Sequence, residues 1–385
     1  MKIAFFTHTT NVGGAAISSV MVIQHLIDMG LMKPEECIII QNKEKKISTE
    51  KNDVYFTLKK TIKFFEFRLP FSLVFKGGSS DYSKKIYRIY REIISIFYFI
   101  FVYNRILKRE KITTVHLNSL VLWPLLLVLP KSMKRVIHIR EVPNTSIEAR
   151  IAIFIINHCA TDILSIDPIT NIPFVQSGKS QIIPNPFNMT ESRRCRAFKD
   201  KIKMELGIPP KSLVVSLFGP VGRQKGIDFL IQIINASTQI KNIEFLVLGT
   251  PQGVEGEKYI QLLKGYNNVK YFPEQKDTTK FYAISDVVIR CEDYLPLGRT
   301  VWEGIFAGGI ALVPVNKKDD ISVIKDSIEK YIYTYQALDV NSCIEMLLTI
   351  TKKYPDTIEN SGYPISDNVA STSEAFFRVL HQSEK

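Results

Sequence analysis

Apolar runs of strand length alternate with segments of helical period along almost the whole chain. KIAFF, ECIII, TTVHL, RVIHI, DILSI and SQIIP are the strand candidates of the first half, and LVVSLF, IEFLVL, VKYFP, DVVIR, IALVP and YIYTY those of the second. Short unbroken apolar runs fit strands buried on both faces, and their alternation with helices implies βα units and parallel sheets. Helical spacing predicts a first helix from Ala15 to Met29. In the second half it predicts helices from Gly226 to Thr238, Glu257 to Lys264, Thr279 to Ile284, Thr300 to Ala307 and Leu338 to Ile350. Two doubly wound, Rossmann-like α/β domains follow. Their junction falls in IIPNPFN, residues 182–188, where Pro and Asn end a strand before a charged, helix-like stretch from Arg193 to Leu206. The expected domains are 1–186 and 187–366, with a closing segment 367–385 whose helix, Ser373 to Gln382, packs back across either domain. Ligands of such sheets bind outside the carboxyl ends of the strands, so two domains facing each other form a central cleft.

Composition narrows the class. At 385 residues, 45% hydrophobic and 23% charged, the chain is globular and too long for one ordinary core. The five cysteines are odd in number, scattered and without a CxxC, which fits isolated thiols in a reducing cytoplasm. MKIAFF reads as a first strand and not as a secretory signal. A net charge of +12 asks for an anionic partner: nucleic acid, a membrane surface or a phosphorylated small molecule. The excess is clumped in Lys84 to Lys111, where basic ends flank an apolar, aromatic middle from Ile93 to Val102. That middle is too short to span a bilayer. It reads either as a helix lying on anionic headgroups or as a core helix with polar ends.

The loops after the strands carry the chemistry. In THTTNVGGAAISS, Gly13 and Gly14 stand at a helix start, where unpaired amides can meet an anion. Neither the GxGxxG nor the GxxxxGK[ST] spacing is present, so the loop supports neither a dinucleotide nor an ATPase site. LFGPVGRQKGID, residues 217–228, has Gly219 and Gly222 around a tight loop, then Arg223 and Lys225 at a helix N-terminus. Cations there oppose the helix dipole, and an anionic ligand would account for them. In YLPLGRTVWEGIFAGG, Gly298, Arg299 and Thr300 form another helix start suited to phosphate. Glu303, one turn further on, reads either as a solvated glutamate or as an acceptor for a ribose diol. Two anion sites and one diol acceptor in a single domain describe a nucleoside diphosphate. The six histidines show no metal-ligand spacing, no DxD stands at a strand end and no GxSxG elbow occurs, so neither a metal site nor a hydrolase triad is expected.

Taken together, NVGGAA, SQIIPNPFN, FGPVGRQKGID, KFYAISDVVI and PLGRTVWEGIFAGGIALVP resemble the retaining GT-B glycosyltransferases, in particular the large family 4 group (glycosyl transferases group 1). The resemblance covers nearly the whole chain and is strongest from Ile182 to Pro314. It implies a metal-independent, hexosyltransferase-like transfer from a nucleotide-sugar to an acceptor hydroxyl with retention, needing no cofactor. By the same resemblance, Arg223 and Lys225 hold the donor diphosphate and Glu303 the ribose. The amides from Gly298 to Thr300 lie on the phosphate, Phe272 and Pro273 hold the base, and Gly13, Gly14 and Gly219 line the donor site. The family's histidine and acid pair after RVIHI is replaced by Arg140 and Glu141. Arg140 is assigned to binding phosphate or, with Asn118, the acceptor, and Glu141 to orienting Arg140 or the acceptor hydroxyl; Arg140 and Glu141 as a structural ion pair is the alternative. The family's other glutamate, eight residues before Glu303, is Leu295 here, while Glu292 and Asp293 lie out of register. The expected role is synthesis of a cell-surface polysaccharide or glycolipid, by a cytoplasmic protein held peripherally on the inner membrane face and acting on a lipid-linked sugar or glycan. The alternatives are a relative that epimerises or hydrolyses the nucleotide-sugar and a degenerate, non-catalytic nucleotide-binding or scaffold subunit. Nucleic acid is not an expected partner, since no RNA- or DNA-binding motif accompanies the charge.

Overall fold

A computed structural model describes residues 1–8, 14–42, 53–67, 100, 104–295, 297–316, 331–353 and 367–382. Packing divides the chain into two compact units, Met1–Pro186 with Asn368–Lys385, and Phe187–Asp367.

The first unit holds a seven-stranded, wholly parallel sheet. Its strands are β1 (Ile3–Thr7), β2 (Cys37–Asn42), β3 (Lys63–Phe67), β4 (Thr114–Leu117), β5 (Lys134–Ile139), β6 (Asp162–Ser165) and β7 (Ser180–Ile182), in the order β3-β2-β1-β4-β5-β6-β7. Alternate residues of each strand feed opposite cores. Ala4, Phe6, Val115 and Ile137 lie in one, Ile3, Phe5, Ile39 and Val136 in the other, which is why these strands read as unbroken apolar runs. The helix Val369–His381 packs on the helix Gly14–Asp28 and brings Phe376, Val379 and Leu380 into the second of these cores. Burying a side chain such as Phe376 contributes about 2 kcal/mol, enough to fasten the end of the chain here.

The second unit repeats the plan with six parallel strands: β8 (Leu213–Phe218), β9 (Ile243–Leu248), β10 (Val269–Phe272), β11 (Val287–Ile289), β12 (Ile310–Val315) and β13 (Ile332–Gln336), ordered β10-β9-β8-β11-β12-β13. The strand order reverses between β8 and β11, and ligands of doubly wound sheets bind at that switch point. The helix Arg299–Phe306 lies against β11 closely enough that a Cβ on Gly304 would stand 2.4 Å from Val288 Cγ2.

Several local expectations change. β3 was not expected, because KFFEF alternates charge with aromatics at a sheet edge and lacks an apolar run. The helix Ile147–Cys159 was also unread; Ser146 caps it, its Oγ accepting the Ala149 N–H at 3.1 Å. The charged stretch expected from Arg193 to Leu206 is two helices, Thr190–Arg196 and Lys199–Glu205. Leu338 takes a left-handed backbone, so its helix starts at Val340. Gly13 and most of the Lys84 to Lys111 stretch lie outside the described residues; Asn104–Arg109 is helical, with Leu107 buried.

Candidate functional site

In the second unit, the loops that follow β8 and β11 meet through charge. After β8, residues Arg223–Lys225 make one 3₁₀ turn that ends at Gly226, whose φ is +68°. A Cβ on Gly226 would lie 1.9 Å from the Cys291 carbonyl oxygen, so only glycine lets this loop sit against the end of β11. Lys225 thereby reaches the buried Glu292, Nζ to Oε1 at 3.2 Å. Arg290, also buried, donates Nε to Glu292 Oε2 at 3.1 Å and Nη2 to Oε1, and turns Nη1 to Thr300 Oγ1 at 3.0 Å. A Cβ on Gly298 would stand 3.0 Å from that same Nη1. Arg290 and Glu292 therefore join Lys225 to Thr300 in the first turn of the Arg299–Phe306 helix, 75 residues away in sequence.

Two cations share one carboxylate here, leaving an excess positive charge in a desolvated place. Burial pushes the Glu292 carboxyl up, but the charges of Arg290 and Lys225 outweigh it and hold it down at about 2. The neighbouring Arg290 charge, helped by burial, pulls the Lys225 ammonium below the ordinary lysine range, with Glu292 opposing. A further anion would relieve that repulsion.

Glu303 is half-buried and held from two sides, Oε1 by Arg299 Nε and Oε2 by the Tyr282 hydroxyl, each at 2.6 Å. Burial and the Glu303 charge raise the Tyr282 hydroxyl far above its usual range, keeping it a donor; its ring stacks on Phe218 at 4.2 Å. The Arg299 guanidinium also lies over the Phe187 ring, 5.0 Å from its centre. Each carboxylate oxygen has two lone pairs, so Glu303 retains capacity for a diol. Phe272 closes β10 edge-on to Phe281, and the Pro273 carbonyl accepts from Gln275 Nε2 at 3.1 Å. Gly219 sits directly after β8 with φ +119°. Arg223 is not brought into the cluster: it is 72% exposed and pairs with the exposed Glu255 at 3.1 Å. Leu295 is buried.

The first unit has a second polar cluster at its own switch point, between β1 and β4. Asn118, directly after β4, donates Nδ2 to the Ala15 carbonyl at 3.1 Å, and its Oδ1 accepts Arg140 Nε at 2.7 Å. Arg140 also donates Nη1 to Asn185 Oδ1 at 2.6 Å and faces His138 Nδ1 at 3.3 Å. Gly14 is the first residue of the helix whose second residue Asn118 holds. Glu141 turns elsewhere: Oε1 accepts Ser119 Oγ at 2.7 Å and Oε2 the Leu120 N–H at 3.1 Å, anchoring the 3₁₀ segment Leu120–Leu127. Burial raises its carboxyl above the usual range despite those bonds.

His116 and His138 form a buried pair, Nε2 to Nδ1 at 3.4 Å, that burial and the Arg140 charge keep neutral. With Ser19, Thr372 and Phe376 they line a cavity of about 10 Å³, close to the space of one water. Among the described residues, no group of three or more His, Cys, Asp or Glu is arranged to hold a metal ion, and no helix is long and apolar enough to cross a membrane.

Sequence reasoning missed Arg290, Tyr282, Asn185 and the histidine pair. A signal existed for the first: an arginine ending the apolar run DVVIR, two residues before a glutamate, needs a buried partner.

Two doubly wound parallel sheets with these helices make a two-domain GT-B fold, and solved structures agree. HepE of Anabaena, solved with UDP, matches with a TM-score of 0.66 at 14% identity, over 99% of this chain and 95% of that one. WaaG, a glycosyltransferase involved in lipopolysaccharide biosynthesis, matches with a TM-score of 0.66 at 14% identity, over 99% of this chain and 100% of the other. Sucrose-phosphate synthase of Thermosynechococcus elongatus gives 0.64 at 14% identity, over 98% and 94%. At this identity the likeness is one of fold. No protein-family profile matches the chain, and no curated protein sequence matches it.

Proposed function

We propose that the protein is a glycosyltransferase moving a sugar, with retention, from a nucleoside-diphosphate sugar to an acceptor hydroxyl. The observation that carries this reading is the Lys225–Glu292–Arg290–Thr300 cluster at the β8/β11 switch point, which joins two anion-binding loops and leaves an uncompensated cation between them. In this reading the diphosphate lies against Lys225 and the amides from Gly298 to Thr300. Glu303 accepts from the ribose, and the end of β10 at Phe272 and Pro273 holds the base. As the bond from the anomeric carbon to the diphosphate breaks, charge grows on the leaving group. Lys225, which Glu292 positions, stabilises that charge without reorganising. The reading needs no metal for this neutralisation. Solved neighbours of the same fold hold UDP and UDP-glucose, which favours a uridine diphosphate donor.

Arg140 and Asn118 are assigned to the acceptor, a lipid-linked sugar or glycan, at an anionic membrane surface in polysaccharide or glycolipid synthesis. WaaG, of like fold, is involved in lipopolysaccharide biosynthesis, which supports that setting. A degenerate, non-catalytic nucleotide-binding subunit is the second reading, favoured by Leu295, which supplies no carboxylate for a donor sugar.

Thermal unfolding with UDP, GDP, ADP and their sugars tests the donor site. One diphosphate should raise the transition of the wild type and leave Lys225→Ala unmoved. In a transfer assay Lys225→Ala should lower turnover about 10²- to 10³-fold, the usual cost of removing one donor to a developing anion. Stabilisation without any transfer to any acceptor would favour the non-catalytic reading; no stabilisation by any nucleotide would remove the donor-site assignment.

A further inference from the structure

The helix Ile147–Cys159 is apolar almost all the way round, IEARIAIFIINHC, a pattern expected of a helix covered on every side. Among the described residues only one side is covered. Ala149, Ala152 and Ile156 are buried in the same core as Leu120 and Leu125. At about 100° per residue, Ile147, Ile151 and Phe154 fall within an arc of about 60° on the opposite side. All three are exposed, Ile147 to 78% and Phe154 to 62%. The 3₁₀ segment Ile172–Ser177 packs beside this helix and adds exposed Ile172 and Val175. Five large apolar side chains on two adjoining elements exceed the scattered single residues normal for a surface.

We infer that this stripe is the surface by which the first unit rests on an anionic lipid bilayer, an inference that rests on the membrane setting proposed above. Charge selects the occupant. Arg150 and His158 lie on the same side of the helix as the apolar stripe, and both are exposed. The exposed Lys179 sits at the helix's C-terminal end, its Nζ donating to the Asn157 and Ala160 carbonyls at 3.1 Å each. The helix's one acid, Glu148, is half-buried about 100° round the helix from Ile147, and Asp162, the nearest acid beyond the helix, pairs with Lys134 at 3.5 Å. The first unit as a whole has 27 lysines and arginines against 16 acidic residues, whereas the second has 23 against 22. Apolar side chains beside the cations Arg150 and Lys179 describe a helix lying in a headgroup region. A second copy of the chain is the poorer occupant, because a two-fold contact would press two surfaces of like positive sign together. The stripe also starts seven residues after Arg140, at most about 25 Å of chain from the acceptor residues.

Flotation of the full chain with phosphatidylcholine vesicles, with and without phosphatidylglycerol, tests this. The exposed pair Ile151→Ser/Phe154→Ser should cut the floated fraction on anionic vesicles about tenfold, each removing an apolar contact with the acyl boundary. Leu262→Ser, an exposed position of the second unit, should leave it unchanged. Equal flotation of the wild type and the double variant would overturn this surface while leaving membrane binding intact. Equal flotation with a wild-type dimer that the double variant splits would make the stripe a face between copies. A wild type that stays at the bottom would overturn both the stripe and the membrane setting, and the nucleotide response of Lys225 would still test the donor site separately.

Discussion

The two units share one winding scheme and treat charge in opposite ways. The second is nearly neutral and takes its charges inside: Glu292 between Arg290 and Lys225, Asp286 between Arg196 and Lys203, Glu303 against Arg299. The first carries almost the whole positive excess of the chain and exposes large apolar side chains on one helix. Buried, paired charge holds a compact anion at a fixed place; spread surface charge draws the protein to an extended anionic surface. On the function proposed above, similar sheets serve a point ligand in one unit and a surface in the other.

The largest test of that contrast concerns Asp286. It is wholly buried and accepts from Val214 N–H at 3.0 Å, Arg196 Nη2 at 3.2 Å and Lys203 Nζ at 3.3 Å. Asp286→Ala strands a buried ammonium, which costs about 3–5 kcal/mol. Hydrogen exchange should show the loss of protection in β8 and β11, with β1 and β4 unchanged. Equal loss in both sheets would mean that the units do not keep separate charge ledgers.

Next in size is acid stability. The Glu292 carboxyl is held at about 2 in the folded chain, below its ordinary value near 4.5. A group depressed on folding contributes stability that is present above its unfolded value and is lost as the pH falls through its folded one, here between about 4.5 and 2. The shift is worth about 3 kcal/mol at most. Urea unfolding of the wild type and of Glu292→Gln should differ most at pH 5.5 and converge toward pH 2. A gap that does not narrow would place the stabilisation elsewhere than in the Glu292 charge.

Legibility followed burial. The four inner strands of the second sheet are visible as apolar runs because parallel strands are covered on both faces, and LVVSLF is buried at all six positions. β3 escaped because its charges interrupt any apolar run, and the Ile147–Cys159 helix because Arg150 and His158 are interleaved with Ile147, Ile151 and Phe154 on its outer side, which leaves no readable period. At the candidate site, Lys225, Gly298, Thr300 and Glu303 stood out as glycine-led helix starts. What joins them did not, since Arg290 and Glu292 act through contacts that form only when the ends of β8 and β11 are brought together.

The smallest and most discriminating test crosses the units. Arg290→Leu removes a cation from beside Lys225 and the hydrogen bond to Thr300, while leaving Glu292 the Lys225 ammonium as partner. Arg140→Lys keeps the charge but loses the planar fork that reaches Asn118 and Asn185 together. If the second unit holds the donor and the first the acceptor, Arg290→Leu should weaken nucleotide stabilisation about tenfold and spare the acceptor KM, and Arg140→Lys should do the reverse by about as much. Only the crossed pattern separates the two roles, because each change also loosens its own loop. Arg290→Leu raising the acceptor KM, or Arg140→Lys abolishing the nucleotide response, would mean that the division between point ligand and surface does not follow the division between the units.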